Sequence, residues 1–237
     1  MKFNLSTCLV AAGALALGSA ASANLISEFE PNPTGSDPAI ASVELSGTPG
    51  AAFSGVLVSI ESDPGGANPG DVNAFFQVSG TYDAAGLAVV EIDDLENPSF
   101  TFVFAETFSG DIDTDFDADD DGVADTVDSL GTVFDAIGIS DNESDLTLLY
   151  AAQLGGTDLQ TQGDPTLVFR DGVNGDLYAV LGGTVFDAAA TEVTSPFFGG
   201  DPTATSFGAV NPTIVPEPAS LALLGPGAAA MLRRRSA

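Results

Sequence analysis

Between residues 24 and 215 the chain alternates apolar and polar positions in short runs, broken every ten residues or so by Gly, Pro, Asn or Asp. Successive side chains of a β-strand point to opposite faces, so a period of two marks strands with one buried face. The pattern predicts strands over 25–30, 40–45, 56–60, 74–78, 87–92, 99–106, 132–139, 146–150, 166–170 and 177–181. In 99–106, Phe100, Phe102 and Phe104 share one face, with Thr101, Val103 and Ala105 opposite. That spacing places the phenylalanines in a core rather than on a ligand platform. No stretch of this body carries a long apolar stripe at helical spacing. Some ten short strands with turn-rich joins predict an all-β fold, a β-sandwich over 24–198, with 199–214 as a linker.

Composition changes the picture at the ends. The 237 residues hold 34 acids, 5 bases and no histidine, for a net charge of −29. Lys2 and Arg233, Arg234 and Arg235 lie at the extremes, so Arg170 is the only cation between Asn24 and Val215, against 33 acids. Such a body repels nucleic-acid backbones, and no nucleic-acid partner is expected. With no His or internal Lys, and Cys8 alone near the N-terminus, Ser-His-Asp and Cys-His catalysis and His-ligated zinc are excluded. Disorder is also disfavoured: the chain is 44% hydrophobic and carries 16 Phe, far from the composition of acidic disordered segments.

Residues 1–23 combine Lys2, a ten-residue apolar run from Cys8 to Leu17, and Ala21-Ser22-Ala23. A basic start, a short apolar centre and a small-residue exit form a secretory signal peptide, with cleavage expected after Ala23 and the secretion machinery as partner. At the other end, 215–237, Pro216-Glu217-Pro218 precedes an apolar segment, Leu221 to Leu232, and then Arg233-Arg234-Arg235. The apolar segment is expected to lie as a short transmembrane helix, with the arginines on the cytoplasmic side and the polar triplet at the outer face. From Ala219 to Leu232 the helix would span about 21 Å, marginal for a permanent anchor and better suited to a transient hold.

This arrangement resembles the bacterial PEP-CTERM sorting signal. The resemblance implies processing by an exosortase near Pro216, Glu217 and Pro218, in a host that exports proteins associated with exopolysaccharide. The body's opening, Leu25-Ile26-Ser27-Glu28-Phe29-Glu30-Pro31-Asn32-Pro33, with Val43-Glu44-Leu45 and Val168-Phe169-Arg170-Asp171-Gly172, resembles bacterial lamin-tail domains. That likeness implies an immunoglobulin-like sandwich used for attachment.

One constellation carries chemistry. Seven of the eleven residues from Asp111 to Asp121 are Asp, and like charges 4 Å apart repel by about 1 kcal/mol even in water. Asp117, Asp119, Asp121, Gly122, Asp125 and Asp128 fall at positions 1, 3, 5, 6, 9 and 12 of a calcium loop, with the Val123 carbonyl at position 7. The loop 117–128 resembles those of EF-hands, dockerins and thrombospondin type 3 repeats. Aspartate at position 12 in place of Glu, and the lack of flanking helices, favour the latter two. Calcium is the expected ion, in a structural role, and it would also bridge the acidic body to anionic polysaccharide. The reading of the whole is an exported, non-enzymatic protein of the cell surface or extracellular matrix. The alternative is a carboxylate-based secreted hydrolase such as a glycosidase, which needs only two acids at a defined separation.

Overall fold

A computed structural model of the chain describes residues 24–35, 38–65, 68–95, 99–194 and 198–215. The expected signal peptide, with the cleavage point expected at Ala23, and the tail with Pro216, Glu217, Pro218, Arg233, Arg234 and Arg235, lie outside the described residues. The body is all-β and built of two sheets, as a sandwich requires. One sheet has the order β12-β11-β10-β9-β1-β2-β5, the other β4-β3-β6-β7-β8. The strands are β1 (Leu25–Phe29), β2 (Ile40–Ser46), β3 (Ala52–Glu61), β4 (Val72–Thr81), β5 (Leu87–Asp93) and β6 (Phe100–Ala105). They continue with β7 (Val133–Ile139), β8 (Thr157–Asp158), β9 (Leu167–Arg170), β10 (Leu177–Leu181), β11 (Thr184–Asp187) and β12 (Glu192–Val193).

The alternation in β6 behaves as its sequence predicts, with a consequence for the outer face. Phe100, Phe102 and Phe104 join Ile26, Phe29, Val43, Leu45 and Leu57 in the main core, which draws on both sheets. Val103 and Ala105 face the other way, into a second core with Val56, Val58, Ile60, Phe116, Leu130 and Tyr150. Every residue of β6 is therefore buried, because the acidic stretch and the segment around Tyr150 cover that outer face. A third cluster, with Phe169, Tyr178, Val180, Val185 and Phe198, lies on the β9–β11 side.

Residues 146–150 depart from the expected strand. Asp145–Leu148 form a 3₁₀ turn, with Asp145 and Leu148 buried. Positions three apart eclipse one another in a 3₁₀ turn, so its buried pair is spaced by three rather than two. Residues 199–214, expected as a linker, return along the body. Phe198 bridges Ile214, the Gly199 amide donates to the Thr213 carbonyl at 2.7 Å, and Asn211 is buried.

The two sheets are tied by the one internal cation. Arg170, at the end of β9, sends Nη2 to both carboxylate oxygens of Asp135 on β7, at 2.8 Å each. Its Nε donates to the Ile26 carbonyl and its Nη1 to that of Gly175, both at 3.0 Å. The Ile26 amide in turn donates to Asp135 at 2.9 Å. Burial pushes the Asp135 carboxyl up, and Arg170 pulls it part of the way back.

Candidate metal centre

The acidic loop is anchored before it begins. The Val72 amide donates to the Thr114 carbonyl and the Asp113 amide to the Val72 carbonyl, both at 2.9 Å, so residues 113–115 pair with the start of β4. Phe116, sitting between aspartates, is 1% exposed and sinks into the second core. Its burial drags Asp117 inward, and Asp117 is fully buried.

Asp117 organises the turn that follows. Its Oδ1 accepts from the Asp121 amide at 3.1 Å; its Oδ2 accepts from the Gly122 amide and the Tyr150 hydroxyl, both at 2.8 Å. Burial, followed by the hydrogen bond to Asp117, pushes the Tyr150 phenol up, so it stays a donor. Gly122 has φ +84°, and a Cβ there would collide with the Thr147 carbonyl. The turn therefore needs glycine both for its backbone angle and for its close approach. Gln153 closes the far side, accepting from the Ala124 amide at 2.9 Å and donating to the Gly122 carbonyl at 2.8 Å.

The result brings carboxylate oxygens of Asp117, Asp119 and Asp125 within 4.8 Å of one another. Calcium binds oxygen at roughly 2.4 Å, so ligands on opposite sides of one ion lie about 4.8 Å apart. The spacing and the all-oxygen donor set therefore fit a single hard cation. Of the other loop positions singled out in the sequence, Asp121 turns Oδ1 to the Val123 amide at 2.9 Å. Val123 is 55% exposed. Neither Asp121 nor Asp128 belongs to the convergent group. The Asp119 carboxyl is pushed up, first by the charge of Asp121, then by desolvation, Asp125 and Asp117. A cation would relieve that repulsion.

Phe116, Tyr150 and Gln153 escaped the sequence reading as parts of this centre. A lone Phe in an aspartate run is a signal of an inward turn, whereas Tyr150 and Gln153 are some thirty residues distant and carry no local mark. A surface cleft of about 440 Å³ is lined by Arg170, Tyr178, Asp176 and Asp187 among others, and the Arg170 side chain there is engaged by Asp135 and two carbonyls. Among the described residues, no helix is long and apolar enough to cross a membrane.

The two-sheet architecture sets the class as all-β, and no closer relationship accompanies it. No family model matches the chain, no curated protein matches it, and no solved structure matches it.

Proposed function

We propose that the chain is an exported, non-enzymatic protein of the cell surface or extracellular matrix, sorted through its Pro216-Glu217-Pro218 tail by an exosortase-type enzyme. In this reading the tail holds the protein in the membrane transiently, and the body, an immunoglobulin-like sandwich of lamin-tail type, carries calcium as a structural ion. The convergence of Asp117, Asp119 and Asp125 around the Gly122 turn carries the calcium part. The sorting part is supported by the order of triplet, apolar segment and arginines in the sequence. The non-enzymatic part is supported by the lack of His, Cys and Lys in the body. Calcium bound at the acidic loop would also link the protein to anionic polysaccharide.

Calorimetric titration of the full-length chain with calcium should give one binding event, with a dissociation constant of about 10⁻⁴ to 10⁻³ M, the range of extracellular modules. Asp119→Asn should weaken it at least tenfold without lowering the melting temperature of the calcium-free protein, since Asp119 is exposed and repelled by its neighbours. No heat and no calcium-dependent rise in melting temperature would refute the calcium site. For sorting, fractionation of the host with and without its exosortase should show the protein reaching the surface only when the enzyme is present. Equal distribution in both would overturn that part.

A further inference from the structure

Strand β1 carries a bulge: Ile26 pairs with Leu45 and Glu28 with Glu44, which leaves Ser27 as the extra residue. A bulge sets two consecutive residues on one side of the strand. Ile26 and Phe29 enter the main core, whereas Ser27 and Glu28 both meet the returning segment 198–215. Glu28 accepts from the Ser206 amide at 2.7 Å and the Ser206 hydroxyl at 2.8 Å. Its cross-strand neighbour Glu44 accepts from the Gly208 amide at 2.7 Å. The Asn211 side-chain amide donates to the Ser27 carbonyl and hydroxyl, both at 3.1 Å, and to the Arg170 carbonyl at 2.9 Å. Asp171 accepts from the Ile214 amide.

Two carboxylates thus lie side by side under a segment whose own described side chains contribute no cation. Glu28 is 1% exposed and Glu44 fully buried, and Glu44 Oε1 has no hydrogen-bond partner of proper geometry. We propose that the Glu28–Glu44 pair is a proton-operated clasp: a proton on Glu44 lets residues 199–215 seal against the sheet, and its loss loosens them. The unpartnered Oε1 is where that proton resides, leaving Oε2 to accept from Gly208. Once Glu44 ionises, two like charges sit at adjacent cross-strand positions out of water, and only hydration by lifting the segment relieves them.

The surroundings give no countercharge. Facing Glu44 are Glu28 on β1 and Asp83 in the turn after β4, and both charges disfavour its ionisation. Glu30 acts in the same sense on Glu28. The Arg170 guanidinium is engaged by Asp135, and Asp201 is the only charged residue in 199–215. Burial is the largest cause and raises Glu44 to about 7, although the Gly208 amide and the nearby Ser27 hydroxyl favour the charged form. The raised value means the closed clasp binds the extra proton. Its stability is full below the ordinary glutamate range, declines as pH rises, and reaches its floor above about 7.

Hydrogen exchange on the full-length chain in chelator, corrected for intrinsic rates, reads the opening of 199–215 directly. Protection of this segment should fall at least tenfold from pH 5 to pH 8, while β3 and β6 keep theirs. Glu44→Gln should hold the segment protected at both pH values. Asn211→Ala, which removes the clasp's neutral hydrogen bonds, should expose it at both. Equal wild-type protection at pH 5 and pH 8, or a pH dependence that survives Glu44→Gln, overturns the proposal.

Discussion

Replacing Arg170 with Met tests how much of this fold hangs on one cation. The substitution keeps an apolar stem of similar length but removes both bonds to Asp135 and those to the Ile26 and Gly175 carbonyls. Asp135 is left with the amides of Ile26 and Ala136 and, with its side chain 5% exposed, is largely shut off from water. Stranding one member of a buried ion pair costs about 3 to 5 kcal/mol. For a body of this size that is a fall in melting temperature of roughly 10 °C. The loss has a signature in pH. Burial already pushes Asp135 up, and Arg170 is the main influence opposing it. Without Arg170 the folded form holds its proton to higher pH, so the variant's deficit is small in acid and grows as pH rises. Thermal unfolding of both proteins at pH 4.5 and 7.5 measures it, and adding Asp135→Asn to the variant should recover part of the deficit at pH 7.5. A deficit under 1 kcal/mol, or one equal at the two pH values, would refute the reasoning.

Three further outcomes follow from the same geometry. Gly122→Ala combines an unfavourable backbone angle with a collision at the Thr147 carbonyl; it should cost at least about 1 to 3 kcal/mol by denaturant unfolding and weaken calcium uptake. Tyr150→Phe removes the hydroxyl that donates to Asp117, and should cost about 1.5 to 3 kcal/mol, as for other hydrogen bonds to charged groups. Glu28, Glu44 and Asp135 are all pushed up, chiefly by burial, so the calcium-free protein should melt higher at pH 5 than at pH 8 in calorimetry. A higher melting temperature at pH 8 would show that other groups control the balance.

Strands with one face in the core announced themselves through alternation, and β6 did so most clearly because aromatics mark one side. Strands β8 and β12, two residues each, are too short to show any period. Strand β11 had a usable signal that went unread: Gly182-Gly183, with φ +56° and +82°, is a two-residue hairpin turn between β10 and β11. At the candidate metal centre the spacing of aspartates marked the loop, but which carboxylates converge depends on contacts distant in sequence. Phe116 pulls Asp117 under the Tyr150 hydroxyl, and Asp121 is diverted to the Val123 amide. Spacing alone records neither. The acidity likewise reads as a surface property in the sequence, yet Glu28 and Glu44 belong to the interior.

The returning segment also has a mechanical meaning. A pull applied at Val215 loads the Ile214 amide and the Phe198–Ile214 bridge first, then the contacts of Asn211, Gly208 and Ser206 one after another. These bonds unzip singly, whereas the long strand pairings β3–β4 and β2–β5 share a load among many. Eighteen residues released from 198 to 215 add about 60 Å of extended chain. A load carried through Val215 is therefore expected to draw this segment out before either sheet yields.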